Sequence, residues 1–394
     1  LIFPARYHSL NIVMDYYCST KFTDMQVNIQ SRQLQNCCKA WPEHADLDWL
    51  EANPGKMFHT DTMIADRTLM LEDKSCVSCH FGCYKYEEQG LSSERLQQSN
   101  KDFISDTNAP LKRLQLSLST DCNLTCMYCS SQFSTSWYKE IEKNGKYVLE
   151  GQSLENDNWT KLWSKIKQKQ RSTESRFFDI VLREIKLAEG IEEIKILGGE
   201  PLLNNQLFEV INAVDCDNIV IITGLGISAG RLAKFLEKID NNKNISFNVS
   251  AEATGKFFEL TRYGITWDDF TQRVNMIKDK GYRIDFISTV SNISVLDFHN
   301  FVELYNDHKI NINPITDRQF LMPHVLDDRS KKDLIDDIKS RNNVSQFQEI
   351  SRLVNLDPSE TDRKNFGNYL KQFSSRRSID LSFLPEHLRK WCGL

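Results

Sequence analysis

Three cysteines spaced Cys122-x3-Cys126-x2-Cys129 constrain this chain most, because they follow directly on a short alternating apolar run over residues 114–119. Thiols crowded onto the loop after a strand suit a metal or an iron–sulfur cluster, since thiolate is the soft ligand such iron requires. Three thiolates on a four-iron cube leave one iron open, and three ligands of a zinc site are the alternative. Of the eleven cysteines, Cys37 pairs with Cys38, and Cys76, Cys79 and Cys83 form a further group. Cys18, Cys216 and Cys392 stand apart, and the last two read as buried free thiols. An odd count does not suit a disulfide framework. The first residues, Leu1-Ile2-Phe3-Pro4-Ala5-Arg6, lack the charged start and long apolar core of a signal peptide, so a reducing, cytoplasmic compartment is expected.

The bulk properties exclude little else. Of 394 residues, 40% are hydrophobic and 26% charged, as in ordinary globular chains, and the length allows two domains. The formal net charge of −5 argues against a general nucleic-acid surface, although residues 161–171 form a basic stretch around Trp163 that could touch phosphate or be a solvated helix face. No apolar run is long enough to span a bilayer, so no membrane partner is expected.

Residues 1–100 are rich in Cys and aromatics and weak in helix periodicity, apart from one short helix over Asp61–Leu71. Residues 97–110 read as a polar linker. From residue 111 strand-like runs recur at 114–119, 193–197, 219–223, 245–250, 283–290 and 310–315. Amphipathic stretches at 177–188, 206–214, 229–238, 267–278 and 295–305 separate them. Alternating strands and helices predict a parallel sheet with right-handed crossovers, here an α/β (β/α)6 partial TIM barrel over residues 111–320, with its chemistry at the C-terminal strand ends. Residues from about 132 to 175, with Trp137, Trp159 and Trp163, are expected to be an inserted helical segment, either surface elaboration or substrate lid. Residues 321–394 are charged and predict a helical extension, with helices at 330–340 and 344–354.

The cysteine spacing, with aromatic Tyr128 before the last cysteine, resembles the motif of the radical S-adenosylmethionine (SAM) superfamily. The resemblance implies a [4Fe–4S] cluster on Cys122, Cys126 and Cys129 whose open iron chelates the amino and carboxylate groups of SAM. Gly198-Gly199-Glu200-Pro201, after the second strand, resembles the family's GGEP motif, which binds the methionine amino group. The glycines allow close backbone approach, and Glu200 supplies an acceptor for an ammonium. Ser250 and Glu252, ending the fourth strand, are implied to contact the SAM ribose or carboxylate, unless Ser250 is only a strand-end cap. Arg262 looks like the arginine that pairs with that carboxylate, a surface ion pair being the alternative. Ser288, Thr289 and Asn292 end the fifth strand where the family packs adenine and ribose, a looser match, as is Pro314 on the sixth. Thr223, Gly224 and Gly226 read as a turn rather than a phosphate cradle.

The N-terminal cysteines resemble the "twitch" module, a shortened SPASM auxiliary-cluster domain, preceding the barrel here instead of following it. The match runs through Cys76-x2-Cys79, His80, Cys83, Glu87, Glu88, Gly90, Ser93, Glu94 and Arg95. It implies an auxiliary [4Fe–4S] cluster on Cys18, Cys37, Cys76 and Cys79, with Cys38 and Cys83 as rivals, zinc as the alternative, and His80 as a neighbour bonded to a cluster sulfur.

The resemblance implies an enzyme that cleaves SAM reductively and abstracts hydrogen from a substrate C–H bond. A low-potential reductant such as flavodoxin or ferredoxin is the implied partner. A peptide or protein side chain is the favoured substrate, with a nucleoside, tRNA or small metabolite as runner-up. A non-catalytic iron–sulfur or zinc scaffold is the remaining alternative. Tyr263 and Asp285 are the acid–base candidates, each more readily explained structurally.

Overall fold

The computed structural model describes residues 15–88, 93–98, 103–154, 171–239, 243–315, 318–340 and 344–394. These residues fall into two compact units, each built from several stretches of chain.

The first unit holds Leu1–Ser119, Lys169–Ile221 and Asp240–Ile245. Its strands are β1 (Asp24–Asn28), β2 (Gln33–Gln35), β3 (Glu43–His44), β4 (Arg113–Ser117), β5 (Glu193–Leu197) and β6 (Asn218–Thr223), the last reaching just past the boundary, with order β3-β2-β1-β4-β5-β6. β4, β5 and β6 run parallel. Alternate residues of β4 and β5 are buried, which is why Leu114, Leu116, Ile194 and Ile196 lie in the core. The Cys-rich segment, weak in helix periodicity, contributes a strand: β1 pairs parallel to β4 from Asp24 opposite Arg113 to Asn28 opposite Ser117, and so extends the sheet. The expected helix Asp61–Leu71 is present, capped by the Thr60 hydroxyl accepting the Met63 N–H.

The second unit holds Thr120–Gln168, Ile222–Ile239 and Ser246–Leu394. Its strands β7 (Ile245–Ser250, entering from Ile245 of the first unit), β8 (Arg283–Val290) and β9 (Ile310–Pro314) run parallel. Helices Ala229–Lys238, Gly255–Thr261, Trp267–Asp279 and Phe298–Leu304 alternate with the strands. Ser228 and Thr266 cap two of them by accepting the N–H groups of Arg231 and Asp269. Of the segment expected between 132 and 175, the structure shows one helix over Thr135–Asn144, ended by Gly145 at φ 75°, and the start of Arg171–Leu187. Trp159, Trp163 and the basic stretch up to residue 170 lie outside the described residues. The C-terminal region is helical as expected and also forms Glu360–Arg377 and Glu386–Trp391. Among the described residues no helix is long and apolar enough to cross a membrane.

Candidate functional site

The cysteine loop is held by its backbone. Ser134 starts the helix that follows by accepting the Trp137 N–H, and its hydroxyl donates to Leu124 O at 2.9 Å. The Ser136 hydroxyl donates to Cys122 O at 2.7 Å, and Trp137 Nε1 to Cys126 O at 3.0 Å. Tyr369 Oη donates to Met127 O at 2.5 Å and Arg318 Nη1 to Cys129 O at 3.1 Å. Thr125 and Met127 donate their N–H groups to the carbonyls of Tyr263 and Thr261. A Cβ on Gly226 would stand 2.7 Å from Asn123 Oδ1, and one on Gly264, at φ 118°, 3.0 Å from Asn123 O. Glycine is therefore required where the loop seats, and the Thr223–Gly226 turn serves the cysteine loop. Of these residues, Ser134-Thr135-Ser136 carries a helix-start signature that marks it in the sequence. Tyr369 and Arg318 carry none.

Beneath the loop, Glu252 and Arg262 form a buried ion pair, Nη2 to Oε2 at 2.8 Å and Nε to Oε2 at 3.0 Å. Tyr128 Oη donates to Glu252 Oε1 at 2.9 Å. The Arg262 Nη1 stands 4.0 Å from Cys126 Sγ. Burial works against the Arg262 cation, but Glu252 offsets it and holds the guanidinium charged. Burial pushes the Tyr128 phenol and the Cys126 thiol up, and the nearby Cys129 and Cys122 add to the rise on Cys126. Arg262, Glu252 and Tyr128 are thus brought together as a triad against Cys126, and the pair is buried where a plain surface ion pair was the alternative.

Ser288 donates to Ala251 O at 2.6 Å. Asn292 Nδ2 donates to Phe320 O, whereas its buried Oδ1 has no partner. Ser250 and Pro314 end β7 and β9, half-buried. Thr223 Oγ1 accepts the Leu225 N–H within its turn. Asp285 pairs with Arg283 at 2.5 Å, which accounts for it structurally.

In the first unit, Gly198 has φ 153°, and a Cβ there would stand 2.5 Å from Ser119 O. Gly199 N–H bonds Ser119 O at 2.8 Å. Glu200 is buried and accepts the Leu202 N–H at 3.2 Å, capping the turn Pro201–Leu203.

The N-terminal thiols also converge. Cys18, Cys76 and Cys79 share one buried cluster with Tyr17, Phe22, Met70 and Tyr84. Burial raises Cys18 to about 12, and nearby Cys37 and Cys83 add to it. Cys37 and Cys83 are buried, while Cys38 is exposed. Gly82 passes so near Lys39 that a Cβ would stand 2.3 Å from its carbonyl oxygen, which locks the Cys79–Cys83 turn against the Cys37–Cys38 loop. Buried Lys21 bonds Asp66, Asn36 and Ser78 at 2.6, 2.7 and 2.6 Å. Ser93 and Arg95 both bond Glu87, and Arg95 donates to Tyr17 O, so this stretch staples the module. Gly90 lies outside the described residues. His80 is exposed and edges onto Tyr84. Cys216 and Cys392 are half-buried, where buried thiols were expected; Cys216 Sγ sits 3.3 Å from Asn218 O in the turn before β6.

Residues 116–307 match the family model of the radical SAM superfamily. This stretch of the chain is a radical SAM domain. The family's fold is a partial TIM barrel of parallel strands and helices, and it works with a [4Fe–4S] cluster and SAM. Among curated proteins the chain is similar to GTP 3′,8-cyclase of Alkaliphilus oremlandii, 24% identical over 265 residues, covering 65% of this chain and 68% of that one. It is 27% identical over 169 residues to the probable GTP 3′,8-cyclase of Methanococcus aeolicus, covering 40% and 46%. Among solved structures it is similar to anSMEcpe with bound AdoMet, at TM-score 0.37 and 14% identity over 62% of this chain and 61% of that one. SuiB of Streptococcus suis gives TM-score 0.36 at 15% identity, covering 77% and 70%.

The residues of the radical SAM domain fit these groups. Among the described residues no cysteine is joined in a disulfide. Three cysteines stand on one loop, where the carbonyls of Cys122, Leu124, Cys126, Met127 and Cys129 are already engaged. The unpartnered Asn292 Oδ1 is an acceptor for a ligand hydroxyl or amine. Among the described residues no three Cys, His, Asp or Glu side chains are grouped to clasp a single metal ion. A four-iron cube is wider and is held at its corners.

Proposed function

We propose that the chain is a radical SAM enzyme that abstracts a hydrogen atom from a substrate C–H bond. The clasped three-cysteine loop, with Arg262 against Cys126, carries the reading. When bound, the cluster and SAM supply a 5′-deoxyadenosyl radical by reductive cleavage of the sulfonium. Cys122, Cys126 and Cys129 would ligate the cluster. Gly198, Gly199, Glu200 and Pro201 would bind the methionine amino group. Ser250, Glu252, Ser288 and Asn292 would line the rest of SAM, and Arg262, fixed by Glu252, would present its remaining donors to the carboxylate.

An auxiliary [4Fe–4S] cluster on Cys18, Cys37, Cys76 and Cys79 belongs to the same reading. The burial of Cys37 beside exposed Cys38 supports Cys37, and buried Cys83 is the spare thiol. The chain would work in the cytoplasm with a low-potential reductant. A peptide or protein side chain is placed first as substrate, on the twitch-like cysteine module. A nucleoside triphosphate is the second reading, favoured by the relatives named GTP 3′,8-cyclase. Deuterium transfer tests both: reconstituted protein with SAM and reductant is given deuterated peptides or deuterated GTP. Label appearing in 5′-deoxyadenosine from one class selects it. No label from either class, with the cluster intact, sinks both substrate readings.

A further inference from the structure

We infer that the chain beyond the radical SAM domain match, through Tyr369 and Arg318, positions the cluster loop and so sets the properties of the cluster it holds. The inference rests on the reading of Cys122, Cys126 and Cys129 as cluster ligands.

The family match ends at residue 307, and both residues lie past it. Tyr369, on helix Glu360–Arg377, is fully buried, with Tyr147, Phe320 and Phe373 ring centroids at 5.0, 5.4 and 5.6 Å. A phenol sunk in aromatic rings keeps its hydroxyl only where it finds a partner. That partner is the carbonyl of Met127, itself buried, between ligands Cys126 and Cys129. Arg318, leading into the turn Gln319–Leu321, takes the carbonyl of Cys129 itself. The Met127–Tyr128 and Cys129–Ser130 peptide units are therefore oriented from the C-terminal extension. Their orientation sets where the Cys126 and Cys129 sulfurs point.

The two contacts differ in kind. Tyr369 contributes geometry, because removing its hydroxyl strands a buried carbonyl while the ring still packs. Arg318 also contributes charge, because a cation beside the loop favours the more negative, reduced state of a cluster. The helix is itself anchored close by: Arg377 bonds Glu140 and Thr125, and Asn365 exchanges two hydrogen bonds with the Glu150 backbone. It is a rigid base from which to hold the loop.

The test uses full-length protein, reconstituted anaerobically, as wild type, Tyr369→Phe, Arg318→Met and Arg318→Lys. Iron loss to a chelator, the EPR spectrum of the reduced cluster and its reduction potential are measured, with thermal unfolding as the fold control. Tyr369→Phe is expected to lose iron roughly fivefold to tenfold faster, the worth of one net hydrogen bond, with a broadened spectrum. Arg318→Met is expected to shift the potential more negative, and Arg318→Lys to restore most of that shift. Variants that match wild type in all three readouts would overturn the inference; if Tyr369→Phe does not fold, the Arg318 pair decides alone. A wild type that assembles no [4Fe–4S] cluster would instead overturn the proposed function.

Discussion

Removing Arg262 while leaving Glu252 in place is the perturbation whose size the structure sets most directly. Both side chains are almost fully buried, at 5% and 0% exposure, and Glu252 takes two hydrogen bonds from the guanidinium and one from Tyr128. Arg262→Met strands a buried carboxylate with the phenol alone, a change that costs about 3–5 kcal/mol. At roughly 2–4 °C per kcal/mol for domains of a few hundred residues, the melting temperature falls by on the order of 10 °C. Glu252→Gln alone leaves the cation stranded and is also costly. The double variant Arg262→Met/Glu252→Gln removes both charges and should be clearly more stable than Arg262→Met, because neither partner is left unpaired. Denaturant unfolding of the four proteins closes the cycle. A double variant that loses the sum of the two single losses would mean that the groups are not coupled, and would refute the triad beneath Cys126.

Three further outcomes follow from single sites. Gly198→Ala forces a Cβ to 2.5 Å from Ser119 O at φ 153°, so it should destabilise by about 1–3 kcal/mol and be read in urea midpoints; an unchanged midpoint contradicts the close approach. Burial, with the Arg67 and Lys56 charges, depresses His59 from 6.5 to about 4. The unfolded chain therefore binds the extra proton between those values, and stability present above pH 6.5 is lost as pH falls towards 4. Carboxylates titrate there too, so the measurement is the difference between wild type and His59→Gln, which should lose less over that window. Cys37→Ser should lose auxiliary-cluster iron and Cys38→Ser keep it, by iron and sulfide analysis, because only Cys37 is buried.

The barrel strands were legible because they are contiguous and periodic: Glu193–Leu197, Ile245–Ser250 and Arg283–Val290 stand where their alternating patterns put them. β2 and β3 were not, being three and two residues long, too short for a period to show. The helix Glu360–Arg377 buries Phe366, Tyr369, Leu370 and Phe373 at helical spacing, but Gly367 and the surrounding charges obscured it. Gly367 is there because Cys392 O would stand 2.5 Å from a Cβ. The cysteine motif and Gly198-Gly199-Glu200-Pro201 were readable as short local strings. Their support was not. Tyr369 reaches Met127 across 242 residues and Arg318 reaches Cys129 across 189, and no local pattern encodes a contact of that separation. The Arg262–Glu252 pair lay between the two cases: both residues were singled out, but only the fold makes them each other's partners.

On the proposed function, Cys122, Cys126 and Cys129 hold a cluster that cleaves SAM. Its most direct measurement is 5′-deoxyadenosine, by mass spectrometry, from anaerobically reconstituted protein with SAM and dithionite, beside the Cys122→Ala/Cys126→Ala/Cys129→Ala variant. Product is expected from the wild type and none from the variant. Equal product from both, or none from a wild type shown to hold its iron and offered peptides and nucleotides in turn, would contradict it.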